Sequence, residues 1–252
     1  MARPKVPPQP ERLPKHVVLI PDGNGRWARE HGKLVAEGHR RGAEAVKAFL
    51  RVCRDWGIPF ATVWGFSTEN WERSNLEVKA IMRLVEISLR RNRGTFKRDG
   101  MRFLHVGRRD RIARSYPSLA KLFSDMEQET EDYKPFTFNL ALDYGGRDEM
   151  LRAIKKLLEA GLQPKDLTWE GLAVCLDTAG QPDPDLVIRS SGEHRLSGIL
   201  PLQSVYAEIA FLPQFLPELQ EEDFREVIRD FGHRERRFGR RLTHKDTEDH
   251  AG

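Results

Sequence analysis

His16-Val-Val-Leu-Ile-Pro-Asp-Gly-Asn-Gly-Arg-Trp-Ala-Arg-Glu-His-Gly32 is the stretch on which the reading of the fold turns. An apolar run at 17–20 stops at Pro21-Asp22-Gly23-Asn24-Gly25, and Arg26-Trp27 then opens a helical pattern. A continuous apolar run of this length, bounded by small turn residues, reads as a strand buried on both faces. A buried strand that turns on glycines into a helix gathers several backbone N–H groups at the helix's positive end. Arg26 adds a guanidinium, so the turn suits a phosphate or diphosphate. Asp22 lies in the same turn, where a carboxylate can hold Mg²⁺ shared with phosphate oxygens. The plainer alternative is an ordinary connection with a capping aspartate.

A second cluster far down the chain raises the first reading. In Asp183-Pro-Asp-Leu-Val-Ile-Arg-Ser-Ser-Gly-Glu-His-Arg-Leu-Ser197, residues 186–188 read as another buried strand, with Arg189, Arg195 and Ser197 on the polar loop after it. Two arginines and a hydroxyl at a strand's C-terminal end make a second anion site, on the edge of an open α/β sheet where ligands gather.

Strand-length apolar runs recur at 17–20, 60–66, 102–106, 136–142, 186–188 and 206–211. Helical patterns lie at 41–56, 76–97, 112–131, 148–160, 168–176 and 221–231. Six short strands, each followed by a helix, predict one α/β domain: a mostly parallel six-stranded sheet with helices on both faces. The expected organisation is a disordered N-terminal arm at 1–15, with five prolines in it, a single domain at 16–241 and a disordered tail at 242–252.

The 252 residues are 39% hydrophobic and 32% charged, with a net charge of +4 and a pI near 9.1. The excess cations sit mainly in Leu89-Arg-Arg-Asn-Arg-Gly-Thr-Phe-Lys-Arg98 and in 234–241. Neither run interleaves the aromatics that nucleic-acid stacking needs, so no nucleic-acid partner is expected. A solvated helix face is the reading of the first run, with contact to anionic lipid headgroups as a secondary expectation. No window approaches 18 apolar residues, and no signal peptide is visible, so a cytoplasmic protein, at most membrane-peripheral, is expected. Cys53 and Cys175 fall in apolar helical patterns and read as buried thiols. The chain holds no GxxxxGK[ST] loop, no Asp-Asp pair and no GxGxxG fingerprint, which excludes P-loop, paired-aspartate and dinucleotide readings.

Seven motifs, in order, resemble the cis-prenyltransferases, the undecaprenyl diphosphate synthase family. They are Asp22-Gly-Asn-Gly-Arg-Trp-Ala28, Gly38-His39, Phe66-Ser-Thr-Glu-Asn-Trp-Glu-Arg73, Asp143-Tyr-Gly-Gly-Arg147, Asp185-Leu-Val-Ile-Arg-Ser-Ser-Gly-Glu-His-Arg-Leu-Ser197, Gln203-Ser-Val-Tyr-Ala-Glu208 and Arg234-Glu-Arg-Arg-Phe-Gly239. The resemblance implies condensation of isopentenyl diphosphate with an allylic diphosphate, farnesyl diphosphate being the expected donor. The product is a cis-polyprenyl diphosphate, of undecaprenyl type for a cell-wall carrier lipid. A short, medium or irregularly coupled product is the alternative, and a non-catalytic partner subunit a more distant one.

The resemblance also implies roles, position by position. Asp22, Asn24 and Asn70 would be catalytic; Gly23, Asn24, Gly25, Arg26 and His39 would bind the allylic diphosphate. Arg73, Arg189, Arg195 and Ser197 would bind isopentenyl diphosphate, while Trp27, Ser67 and Trp71 would position substrate. Asp22 and Glu208 would hold Mg²⁺, with His194 assisting. A hydrophobic tunnel between sheet and helices would be walled by Ile81, Leu84 and Val85 and floored by Phe136; core packing is the plainer account of these four. The Arg-Phe-Gly at 237–239 implies a homodimer. Three positions depart from the family pattern: Pro21 in place of a usual Met, Val35 where many members carry a diphosphate-holding Arg (Lys33 stands nearby), and Pro201 in place of a common Trp.

Overall fold

The computed structural model describes residues 9–234. The run at the head of the chain forms β1 (His16–Ile20), buried along its whole length, as a strand flanked by others on both sides and covered on both faces must be. It leads into α1 (Asn24–Glu30) and α2 (Val35–Asp55). There follow β2 (Phe60–Ser67), α3 (Asn75–Arg98), β3 (Met101–Val106), α4 (Arg109–Ser115), α5 (Pro117–Glu129), β4 (Phe136–Tyr144), α6 (Gly146–Glu159), α7 (Trp169–Ala173), β5 (Leu186–Arg189), β6 (Glu208–Phe211) and α8 (Glu221–His233).

Among the described residues the six strands make one sheet in the order β3-β4-β2-β1-β5-β6, and every pairing is parallel. The expected sheet is therefore present, all rather than mostly parallel. One face packs under α2, α3 and α8 through Phe49, Phe96, Phe138 and Phe224. The other carries a smaller cluster of Val18, Ile20, Tyr144, Val187 and Leu200. The chain leaves β1 towards β2 on one side and returns with β5 on the other. The C-terminal ends of β1 and β5 thus form a switch point of an open α/β sheet, where a crevice opens.

Four expectations need correcting. The helix expected at 112–131 is two, because Pro117 has no N–H to continue a helix and instead starts α5 at its first position. The helix expected from 41 begins at Val35. Gly38 and Gly42 lie inside it because α1 crosses there: a Cβ on Gly38 would fall 2.2 Å from the Asn24 carbonyl oxygen, and one on Gly42 2.2 Å from Asn24 Oδ1. Between β5 and β6 the chain runs through turns with no helix, so not every strand is followed by one. Cys53 is buried as expected, but Cys175 follows α7 and is only half-buried.

Of residues 9–15, expected as part of a disordered arm, Pro10 and Arg12 pack on α8. Arg12 donates to the Phe231 carbonyl at 3.3 Å with its guanidinium 4.7 Å from that ring's centre, and Pro10 occupies the space a Gly232 side chain would need. The rest of the expected arm, the tail at 242–252 and the Arg-Phe-Gly at 237–239 lie outside the described residues.

Candidate active site

Parallel pairing of β1 with β5 sets Ile20 in register with Arg189. The two anion-suited clusters, 167 residues apart in sequence, are thereby brought side by side. Arg189, 4% exposed, is the hub: its Nη2 donates to Asp22 Oδ2 at 2.8 Å and its Nη1 to Ser197 Oγ at 2.8 Å and to the Arg195 carbonyl at 2.5 Å. Asp22 Oδ1 accepts from the Gly23 N–H at 2.7 Å and pairs with Arg26 at 3.2 Å. Burial alone would raise the Asp22 pKa, but the Arg189 and Gly23 hydrogen bonds and the two arginine charges outweigh it and hold the carboxyl below its usual range. Asp22 is therefore an ionised carboxylate at neutral pH.

Arg26 leaves α1 towards the loop after β5. It donates to Glu193 Oε1 at 2.7 Å and to Ser191 Oγ at 2.5 Å. Arg195 donates to the other Glu193 oxygen at 2.5 Å. Glu193 thus holds two of the expected diphosphate-binding arginines by their guanidinium groups. It was missed in the sequence, though its place between a glycine and Arg195 is a usable signal. The loop is backbone-strained where it carries these groups: Ser191 has φ 75°, Ser197 φ 54° and Leu200 φ 41°.

Asp22, Gly23, Asn24, Gly25, Arg26, His39, Ser67, Asn70, Arg73, Arg189 and Ser197 all line one polar pocket of about 540 Å³. Of the expected polar residues, Arg195 stands beside it through Glu193. Arg73 lines the pocket, pairs with Glu77 at 3.0 Å and keeps 40% of its side chain exposed. His39 has a lowered pKa, first from burial and then from the Arg73 charge, so it is a neutral imidazole at pH 7. Asn70 Oδ1 accepts the Ser67 N–H at 3.0 Å, closing the turn after β2 and fixing both side chains at the rim. Asn24 Oδ1 is buried without a partner, at the point where this pocket meets a second, apolar one.

That second cavity, about 590 Å³, is a cleft between the sheet and the two helices α2 and α3. Ile81, Leu84 and Val85 line it. The α2 wall, with Ala43, Val46 and Leu50, was not singled out in the sequence, although its spacing repeats that of α3.

Other expected residues sit elsewhere. Phe136 is buried at the start of β4 and does not line the cleft; Phe138 and Leu140 of the same strand face do. Trp71 is pinned by donating to Asp143 Oδ1 at 2.8 Å, with Arg111 stacked on it at 5.2 Å, and Trp27 is packed under His31 and Arg41. Both frame the site from outside the pocket. Glu208 is not beside Asp22. It pairs in register with Leu186 at the N-terminal end of β5, three residues or about 10 Å along the strand from Arg189. There it binds Arg234 at 3.0 Å and Arg12 at 3.7 Å. His194 stacks on Phe211 at 4.6 Å.

A polar, cation-rich pocket opening into an apolar cleft is the shape of a site for an anionic head on a hydrocarbon tail. The family model described as "Putative undecaprenyl diphosphate synthase" matches residues 20–239. The chain belongs to this prenyltransferase family. It is 42% identical over 231 residues to the isoprenyl transferase of Aquifex aeolicus, covering 92% of this chain and 98% of that one. It is 39% identical over 234 residues to that of Rhizobium meliloti, covering 91% and 94%. Among solved structures it is similar to lavandulyl diphosphate synthase from Lavandula x intermedia in complex with dimethylallyl diphosphate (TM-score 0.84, 33% identity, 90% and 98% covered). It is similar also to a "probable undecaprenyl diphosphate synthase" from Campylobacter jejuni (TM-score 0.76, 30% identity, 91% and 100% covered). The chain is thus a transferase that moves prenyl groups, in a family that uses isoprenyl diphosphate substrates, on the α/β fold of that family. Among the described residues no helix of this prenyltransferase is long and apolar enough to cross a membrane.

Proposed function

We propose that the prenyltransferase condenses isopentenyl diphosphate with an allylic diphosphate, preferentially farnesyl diphosphate, to a cis-polyprenyl diphosphate of undecaprenyl type. The observation that carries this reading is the junction at Asn24: a pocket lined by Arg26, Arg29, Arg73 and Arg189 meets an apolar cleft large enough for an elongating tail. The Gly23–Arg26 turn and Arg26 hold the donor's diphosphate, and Arg189, Arg73 and Ser197 hold that of isopentenyl diphosphate. Arginine forks suit such oxygens, each hydrogen bond to a charged group contributing about 1.5–3 kcal/mol. The allylic carbon lies near Asn24, where the tail turns away from water into the cleft. There the alkene of isopentenyl diphosphate attacks, the carbon–oxygen bond to the donor's diphosphate breaks, and a proton leaves the new chain. A homodimer and contact with a membrane surface belong to the same reading.

The donor set fits Mg²⁺. Asp22 supplies one hard, ionised oxygen on the pocket wall, and Mg²⁺ is commonly held by one or two carboxylates with phosphate oxygens and waters completing its shell. Glu208 stands at the other end of β5 in its pairing with Arg234, so in this reading Asp22 with the substrate's oxygens would hold the ion. When bound, the ion would offset the charge growing on the departing diphosphate.

A short product from a small donor is the second reading, favoured by the likeness to lavandulyl diphosphate synthase and by Val35 at the pocket rim. The test is a product assay with Mg²⁺, labelled isopentenyl diphosphate and dimethylallyl, geranyl or farnesyl diphosphate. Long products, best from farnesyl diphosphate, support the proposal; short ones from dimethylallyl diphosphate support the second reading. No product with any donor refutes both.

A further inference from the structure

The apolar cleft ends in charge. It runs from the pocket at the C-terminal edge of the sheet towards the N-terminal edge, where Met101, the first residue of β3, lines its far end. On α2 its wall passes from His39 through Val46 and Leu50 to Arg54, fifteen residues or about 22 Å of helix. On α3 it passes from Ile81 through Leu89 and Phe96 to Asp99, the residue that caps the helix. Both walls carry apolar residues along their middle, with Lys47, Arg51, Ser88 and Asn92 beside them, and at the far level they face each other through an oppositely charged pair.

There the two helices are tied across the cleft. Arg54 Nη1 donates to Asp99 Oδ2, and Arg98 Nε donates to Asp99 Oδ1 at 3.0 Å. The other nitrogens of Arg54 hold Asp55 at 2.7 and 2.8 Å. The Asp99 side chain is 12% exposed and that of Arg54 28%, so the pair, which lines the cleft, still keeps some contact with water.

We infer that the Arg54–Asp99 pair is a polar stop that sets how far the isoprenoid chain can grow, a role that Phe136 does not have. The inference rests on the condensation proposed above. While the tail advances along Val46, Leu50 and Leu89, each added unit removes apolar surface from water and is favoured. A tip reaching Arg54 and Asp99 strips water from a half-buried ion pair whose partners it cannot replace. Desolvating such charges outweighs the gain from a few more methylenes. Elongation therefore slows at a length given by the distance from Asn24 to this pair.

The test reads product length in both directions. Replacing the pair by apolar groups, Arg54→Met with Asp99→Leu, removes the stop and shifts products longer by one or more five-carbon units. Leu50→Gln carries polarity one helical turn, about 5.4 Å, nearer the mouth and shifts products shorter. Arg54 and Asp99 lie beyond both the polar pocket and the stretch a short donor fills, so in the double variant the initial rate of isopentenyl diphosphate incorporation stays within about twofold, a split a merely destabilised enzyme would not show. Phe136→Ala leaves the length distribution unchanged. If the double variant does not fold, Leu50→Gln decides alone. Unchanged length in Leu50→Gln or in a folded double variant, or longer products from Phe136→Ala, overturns the stop. Absence of product from the wild-type enzyme with every allylic donor refutes the condensation reading itself.

Discussion

Gly42→Ala tests whether the close crossing of α1 and α2 exists to place Asn24. A Cβ at Gly42 would lie 2.2 Å from Asn24 Oδ1 and 3.0 Å from both Asn24 Cγ and Leu216 Cδ2. The carboxamide must retreat by about 1 Å to relieve the shorter contact, and overpacking of this kind typically costs about 1–3 kcal/mol. Alanine within a helix recovers up to about 1 kcal/mol relative to glycine. The net loss is at most about 3 kcal/mol, or a Tm drop of up to about 12 °C for a chain of this size. Activity should fall much further, because a misplacement of about 1 Å at a reacting centre can cost about 10²-fold. The assays are thermal unfolding and kcat/KM with farnesyl and isopentenyl diphosphates. A double-mutant cycle isolates the cause: in an Asn24→Ala background, Gly42→Ala should be neutral or stabilising, giving a coupling of about 1–3 kcal/mol. Activity within about threefold of wild type, or an additive cycle, would refute the reasoning.

Further outcomes are expected at the hub and in the core. Asp22→Asn removes the charge proposed to hold Mg²⁺ and should lower kcat by at least about 10²-fold; it also leaves the buried Arg189 less well paired, so unfolding should show a modest loss of stability, and near-normal turnover would sink the role. Arg189→Met should raise KM for isopentenyl diphosphate more than KM for the donor. Because the Asp22 carboxyl is depressed below its unfolded value of 3.8, its stabilisation is present above that pH and lost as pH falls through the folded value. The stability gap between wild type and Arg189→Met should therefore narrow below about pH 4, as urea titrations would reveal. His16 is a separate acid-sensitive point. Burial drops its pKa from 6.5 to about 4, against the opposing hydrogen bond to Pro182. The unfolded chain then takes up a proton that the folded chain refuses, so stability falls between pH 6.5 and 4 by about 3 kcal/mol, and His16→Gln should flatten that limb. Chelation with EDTA should abolish turnover and added Mg²⁺ restore it; full activity in EDTA would remove the metal from the mechanism.

Much of the fold was legible because the energies behind it are local. The run at 17–20 has nothing polar to show to water, so it becomes the buried β1, and the glycine turn after it leads into α1 as read. The period of α3 likewise placed Ile81, Leu84 and Val85 on one face. Local rules failed where two elements compete for space. Gly38 and Gly42 look like helix breakers, yet they let α2 pass within contact of Asn24. Pro117 did the reverse, dividing what one apolar period had joined.

The site shows the same division. The residue types at Asp22, Arg26, Arg189 and Ser197 spoke for an anion and a metal wherever they ended up, because that chemistry belongs to the side chains. Only the tertiary structure decided that they meet, since β1 and β5 become neighbours through packing across 167 residues of sequence. It also decided that Glu208 faces Arg12 and Arg234 at the other end of the sheet, that Glu193 holds Arg26 and Arg195, and that the cleft closes on Arg54 and Asp99. A sequence determines which faces each element must bury; which other element covers them, and in what register, is settled by long-range packing that no local period encodes.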